Sequence, residues 1–176
     1  MTKILVQIDG SNFYNKAKHL APQVHLTNYK YSDLVYSITN DKKSEIVYYV
    51  GEIRKVPKNK KSEQLYSSQQ SLFSNLRKQG IEIKLGFLLL SGGVYHEKGV
   101  DVQIAVDITR GAIKKEFDVC YLISSDTDLL PAIKTAKEEK KKIIYVGFEN
   151  SISNALSNNC SKTIILKKSQ ITKFTK

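Results

Sequence analysis

The 176-residue chain has no tryptophan, one methionine, three prolines and only two cysteines. Two cysteines exclude the disulfide scaffold on which small secreted domains rely. Cys120 sits in an apolar run and Cys160 beside polar residues, so both are read as reduced thiols in a cytoplasmic protein. No uninterrupted apolar run approaches the ~20 residues that cross a bilayer, and Met1–Gly10 lacks the layout of a signal peptide. Repeats and low-complexity blocks are absent too, and the length fits the ~100–200 residues of one domain. Acid is the last shortage: 17 Asp+Glu stand against 28 Lys+Arg, a net charge of +11. With 41% hydrophobic and 26% charged residues the chain is globular, and its charge makes polyanions natural partners.

The excess charge is concentrated. Arg54, Lys55, Lys58, Lys60 and Lys61 lie in one acid-free stretch, and Lys162, Lys167, Lys168, Lys173 and Lys176 in another. Together they carry ten of the net eleven charges. Either stretch alone is equally well a solvated surface; two of them point towards phosphate contact. The Lys-rich run 137–142 is balanced by Glu138 and Glu139 and reads as a wet helix end.

Short apolar runs alternate with helical stretches. Strands are expected at 4–8, 45–50, 81–85, 117–123, 142–147 and 163–166. Helices are expected at 12–20, 31–39, 62–79, 100–115, 129–139 and 151–157. Residues 86–95 read as an irregular apolar excursion turning at Gly92-Gly93. This alternation implies βαβ crossovers, hence an α/β fold with a mainly parallel sheet between helix layers. The Phe87-Leu88-Leu89-Leu90 run suits either an interface strand or a core strand, which leaves a homodimer open.

Ligands of open α/β sheets bind beyond the carboxyl ends of the strands. Asp9 follows the first expected strand, and Asp126 and Asp128 follow the most apolar one. Asp101 opens the helix at Lys98-Gly99-Val100-Asp101-Val102. Each alone has an ordinary explanation as a helix cap or a dipole partner. Around one crevice, however, their mutual repulsion is relieved by a cation. Hard divalent ions take oxygen ligands, and Mg²⁺ typically binds one or two carboxylates, waters and substrate phosphate.

Three motifs in order, Asp9-Gly10-Ser11-Asn12, Lys98-Gly99-Val100-Asp101-Val102 and Ser124-Ser125-Asp126-Thr127-Asp128, resemble those of NYN domains, the PIN-like nucleases that include the LabA-like (DUF88) proteins. The resemblance spans residues 3–166. It implies a Rossmann-like PIN-type three-layer sandwich over residues 1–166, followed by a basic tail at 167–176. It also implies an acidic Mg²⁺ or Mn²⁺ pocket that cuts RNA, with Asp9, Asp101, Asp126 and Asp128 as its acids. Asn12 and Ser125 would line that pocket, and Lys98 would meet phosphate. Arg54, Lys55, Lys58, Lys60, Lys61, Lys167 and Lys168 would hold the RNA. Asp107 also matches a family acid, but six residues turn a helix by ~600° and leave it ~120° from Asp101, a supporting position. Ser125 and Leu129 depart from the family pattern, which has Gly and an aromatic there.

Other chemistries lack their residues. The first βα turn has no G-x-G-x-x-G, and no G-x-x-x-x-G-K-[ST] occurs. Ser11 stands where a haloacid-dehalogenase-type phosphatase has a second Asp. His19, His25 and His96 lack zinc-ligand spacing. The rival reading is a non-catalytic RNA-binding or adaptor module on the same fold.

Overall fold

A computed structural model describes residues 2–55, 59–91 and 94–175. Strand β1 (Ile4–Asp9) is buried from Leu5 to Asp9, which requires cover on both faces and so a central place in the sheet. The others are β2 (Glu45–Glu52), β3 (Glu82–Ser91), β4 (Val94–Lys98), β5 (Val119–Ile123), β6 (Lys142–Phe148) and β7 (Lys162–Leu166). Their order is β4-β3-β2-β1-β5-β6-β7. All neighbours are parallel except β3 and β4. Strand order reverses direction at β1 and β5, where Ile8 pairs with Ile123.

Alternation along the strands supplies two cores. Val6, Ile8, Tyr48, Val146 and Phe148 face one side, under α1 (Gly10–Leu20), α2 (Tyr31–Thr39) and α3 (Lys60–Lys78). Leu5, Val47, Leu122 and Tyr145 face the other, under α4 (Val100–Ile113), α5 (Leu130–Glu138) and α6 (Asn154–Asn159). The result is a three-layer sandwich. On the first side Phe13 packs 5.5 Å from both Tyr31 and Phe148, ring centre to ring centre. Such pairs add about 0.5–1.5 kcal/mol each beyond the area they bury. Cys120 is wholly buried in β5 and burial pushes its thiol up. Cys160 is pushed up to about 11 by burial. Neither has the lowered pKa of an activated nucleophile.

Two segments differ from expectation. The stretch read as irregular is mostly hairpin: β3 continues through Ser91 and pairs with β4, while Gly92 and Gly93 lie outside the described residues. Leu85, Phe87 and Leu89 are exposed and Leu88 is half-buried. The period of two is real in accessibility but invisible in a sequence where every position is apolar. The basic tail, too, is folded. Residues Lys168–Lys173 form α7. Ile171 is fully buried, and the Tyr29 hydroxyl donates to its carbonyl at 3.0 Å. Among the described residues no helix is long and apolar enough to cross a membrane.

The turn from β1 into α1 needs glycine. A Cβ on Gly10 would overlap the Tyr48 ring and lie 2.7 Å from the Tyr49 carbonyl oxygen. Gly99, at φ 81°, provides the left-handed residue that starts α4. Replacing Gly10 with alanine is therefore expected to lower stability by about 1–3 kcal/mol, the usual cost of overpacking. Urea unfolding measures it, and an unchanged midpoint would show that the turn has room.

Candidate functional site

The crevice at the carboxyl ends of β1 and β5 is where side chains converge. Asp9 ends β1 and caps α1, its Oδ1 accepting from the Asn12 amide at 3.0 Å. Its Oδ2 accepts from the Ser124 hydroxyl, 115 residues away, at 2.9 Å. Ser124 Oγ in turn accepts from the Asp126 amide. Asp126 caps the turn Thr127–Leu129, accepting from the Asp128 amide at 2.9 Å. Asn12 Oδ1 accepts from the Ser125 amide at 3.2 Å, and the Ser125 and Tyr145 hydroxyls are hydrogen-bonded at 3.1 Å. The capping roles are thus present, and they are what aims these carboxylates.

Asp9, Asp101 and Asp126 line one pocket of about 190 Å³ together with Val100 and Glu97. Asp101 arrives on the first turn of α4, where a carboxylate suits the positive helix end. Glu97 is not among the acids expected from the sequence. It stands near the end of β4, and its Oε2 accepts from the Ser11 hydroxyl at 2.9 Å and from the Gly51 amide. That pins the hairpin to the first turn of α1 and to the end of β2. The available signal is a second acid four residues before Asp101, and it has meaning only once β4 is known to be a strand.

Asp9 is 7% exposed. Burial pushes its carboxyl above the ordinary 3.8, Glu97 and Asp126 add to the rise, and the hydrogen bonds from Asn12 and Ser124 oppose it. No lysine or arginine lines this pocket among the described residues. The electrostatics therefore call for a positive group that the lining itself does not supply.

Two of the anticipated acids stand elsewhere. Asp128 is exposed and faces a neighbouring groove between α4 and α5. Asp107 is buried and faces the sheet: it accepts from Tyr49 Oη at 2.9 Å, Lys84 Nζ at 2.8 Å and Gln103 Nε2 at 3.0 Å. It holds α4 down and does not line the acidic pocket. Lys98 is exposed and follows Glu97, which lines the pocket.

The cations lie along the same edge of the sheet. Arg54 and Lys55 follow β2, the strand next to β1. Arg54 reaches Glu52 at 3.6 Å, and Lys55 lies over the Tyr66 ring at 4.8 Å. Lys58 falls outside the described residues. Lys60 and Lys61 are exposed on the first turn of α3, which Asn59 caps. Cations at the positive end of a helix are unfavourable unless an anion joins them. Lys167 and Lys168 follow β7, three strands beyond β1 on the other side, about 14 Å at normal strand spacing.

The donor set suits a hard divalent ion, since every charged group is a carboxylate. It is not a closed cage: among the described residues no three acidic, His or Cys side chains already form a metal-ligand group. Asp9 and Glu97 oxygens are also engaged by protein donors. Mg²⁺ tolerates that arrangement, because it binds few carboxylates and keeps several waters.

An NYN domain family model matches residues 3–167. An uncharacterised protein of Methanocaldococcus jannaschii, MJ0482, is 44% identical over 59 residues, 34% of this chain, which spans only 25% of that relative's length. The crystal structure of VPA0982, a protein of unknown function from Vibrio parahaemolyticus, superposes with a TM-score of 0.68. That match covers 94% of this chain and 93% of the other at 19% identity, a likeness of fold. With the motifs of Asp9, Asp101 and Asp126 meeting in one crevice of a PIN-like sandwich, the chain belongs to the NYN domain family of the PIN-like nuclease superfamily.

Proposed function

We propose that the protein is a metal-dependent ribonuclease that hydrolyses RNA phosphodiester bonds at the pocket of Asp9, Glu97, Asp101 and Asp126. The observation that carries this reading is the convergence of four carboxylates without a lining cation, on a sheet edge flanked by two basic stretches. Asp9, Asp101 and Asp126 would hold Mg²⁺ or Mn²⁺, Glu97 joining through water or directly. Such an ion, when bound, polarises a phosphoryl oxygen and makes water a better nucleophile near neutral pH. The remaining work belongs to the chain. Ser124 and the Asn12 amide orient Asp9, and Ser11 and the Gly51 amide hold Glu97. Lys60, Lys61, Arg54 and Lys55 would grip phosphates on one side, with Lys58 in the same stretch, and Lys167 and Lys168 on the other. Lys98 would meet phosphate close to the pocket.

Labelled single-stranded and structured RNA, incubated with Mg²⁺ or Mn²⁺, tests the reading. Cleavage is expected, lost with EDTA and lowered at least about a hundredfold in Asp9→Asn and Asp126→Asn, the scale for removing one electrostatic partner of a transition state. Salt-sensitive binding with no cleavage, unchanged in those variants, would establish the adaptor instead.

The raised Asp9 pKa sets a pH signature. Without metal, the folded state binds the Asp9 proton more tightly than the unfolded chain does. Its contribution to stability therefore falls as pH rises from the ordinary 3.8 through the folded value. Adding Mn²⁺ above that range is expected to raise wild-type stability by about 1.4 kcal/mol per tenfold excess over its dissociation constant. Asp9→Asn should gain little. Equal stabilisation of both proteins in calorimetry would remove Asp9 from the metal site. Replacing Lys60 and Lys61 with alanine should lower RNA affinity across sequences and reduce the salt slope by about one for each phosphate no longer held. An unchanged slope would move the phosphate path elsewhere.

A further inference from the structure

A second cavity adjoins the acidic pocket. Helices α1 and α3 flank a groove of about 520 Å³, with Tyr48 of β2 between them. Ser11, Tyr14, Asn15 and Lys18 line it from α1, and Leu65, Ser68, Gln69 and Leu72 from α3. Both sets step by three, one and three, so each is one helix face. The volume falls within the ~300–1,000 Å³ of small-molecule sites.

Two contacts tie this groove to the pocket. Ser11 lines the groove, and its hydroxyl donates at 2.9 Å to Oε2 of Glu97, which lines the pocket. Gln69 is buried, and its Nε2 donates to the Gly51 carbonyl at 2.8 Å. The Gly51 amide donates to the same Glu97 oxygen. The α3 wall and the pocket are thus held in one register.

The rest of the lining is unspent. Tyr14 is 51% exposed and Leu65 48%. Among the described residues the side chains of Tyr14, Asn15, Thr27 and Ser68 have no hydrogen bond, ion pair or ring contact. The Tyr14 ring and the leucines offer an apolar surface with a flat face, and Asn15, Thr27 and Ser68 offer both donors and acceptors. Such a combination matches an unpaired nucleobase, which stacks on its face and hydrogen-bonds along its edge. Charge agrees. Both helices start at the carboxyl ends of parallel strands, the end where the acidic pocket lies. Lys61 is exposed, and four residues before Leu65 it continues the groove face of α3 to that end. An apolar side chain from a peptide or a second copy would use the leucines but not the lysine, the amide or the hydroxyls.

We propose that the groove between α1 and α3 is a nucleobase subsite: one unpaired base of the RNA stacks on Tyr14, its edge meets Asn15, Thr27 and Ser68, and its phosphate lies at Lys61. From there the backbone passes Ser11 into the acidic pocket. The subsite deepens the ribonuclease reading and rests on its RNA substrate, but not on cleavage.

Fluorescence of the full chain in EDTA, which keeps the proposed metal away, tests the subsite. The chain has no tryptophan, so Tyr14→Trp places a single indole on the groove. Its emission is expected to be quenched by a short single-stranded RNA. The same RNA annealed into a duplex should leave it unchanged, as should inorganic polyphosphate, which carries charge and no base. Titrated against labelled single-stranded RNA, Tyr14→Ala should bind about tenfold more weakly, the scale for losing one base–aromatic stack. Its salt slope should stay that of the wild type, and Tyr14→Phe should bind normally. Equal affinity of Tyr14→Ala and wild type would overturn the proposal. So would quenching by polyphosphate as strong as by RNA, or no binding of single-stranded RNA. Indole emission that shifts with protein concentration alone would give the groove to a second copy and overturn it too. Failure of the nuclease reading looks different: no cleavage with Mg²⁺ or Mn²⁺, but Tyr14-dependent binding intact, leaves the subsite standing. Conversely, cleavage by a protein whose binding ignores Tyr14→Ala sinks the subsite alone.

Discussion

The hydrogen bond from Ser124 to Asp9 joins the ends of two parallel strands and sets the geometry of the whole crevice. A nearly buried carboxylate is costly unless donors meet it. Asp9 has two, the Asn12 amide and the Ser124 hydroxyl. Ser124 can donate only because β1 and β5 are direct neighbours in the sheet. The same hydroxyl accepts from the Asp126 amide, so the position of one acid fixes that of the other. These bonds offset part of the cost of ionised Asp9, while Glu97 and Asp126 raise it again. The arrangement is stable as a framework and unbalanced in charge. That imbalance is what makes a cation in the pocket the simplest reading.

Strand and helix ends are legible in the sequence because local chemistry marks them. Asp9, Asp101 and Asp126 each follow an apolar stretch or open a helix, and the strand-end rule is enough to draw them together. Asp128 shares a motif with Asp126, yet the turn Thr127–Leu129 swings it outward; a spacing of two residues does not say which of two acids a 3₁₀ turn aims inward. Helical rotation correctly places Asp107 off the line of Asp101, but its partners on β2 and β3, Tyr49 and Lys84, depend on sheet order. Glu97 is hidden for a different reason. Its role depends on an antiparallel hairpin whose strand, Val94–Lys98, has little alternation of its own. The C-terminal helix escapes a sequence reading because five lysines between 162 and 176 mask the two apolar side chains, Ile171 and Phe174, that dock it.

Charge is sorted by distance from this crevice. The pocket lining is wholly acidic among charged groups; Lys98 stands just beside it, and the two basic stretches lie one strand away on one side and three strands away on the other. Had the cations lined the pocket, they would have paired with the carboxylates and left no need for a metal. Placed outside, they keep the pocket acidic and, on the proposed reading, would bring a phosphate backbone across it. Lys60 and Lys61 sharpen the point, because they sit at the positive end of α3 where cations are disfavoured. A solvated surface would have put them more comfortably at the other end of that helix. An incoming phosphate at the same end turns both unfavourable terms into favourable ones, since it meets the lysines and the helix end together.

Helix α4 divides its residues among three tasks, and its 14 positions leave almost none idle. Ile104, Ile108 and Ala112 bury against the sheet. Asp107 locks the helix in rotation through Tyr49 of β2 and Lys84 of β3, so the other faces cannot drift. Val102, Val106 and Ile113 are left in solvent, where three large apolar side chains on one stripe are a cost to a lone chain. Asp101 stands at the corner where that stripe meets the acidic pocket. With α4 held in this way, Asp101 and the stripe keep a fixed place relative to Asp9. Whatever covers the stripe therefore stands beside the acidic pocket as well.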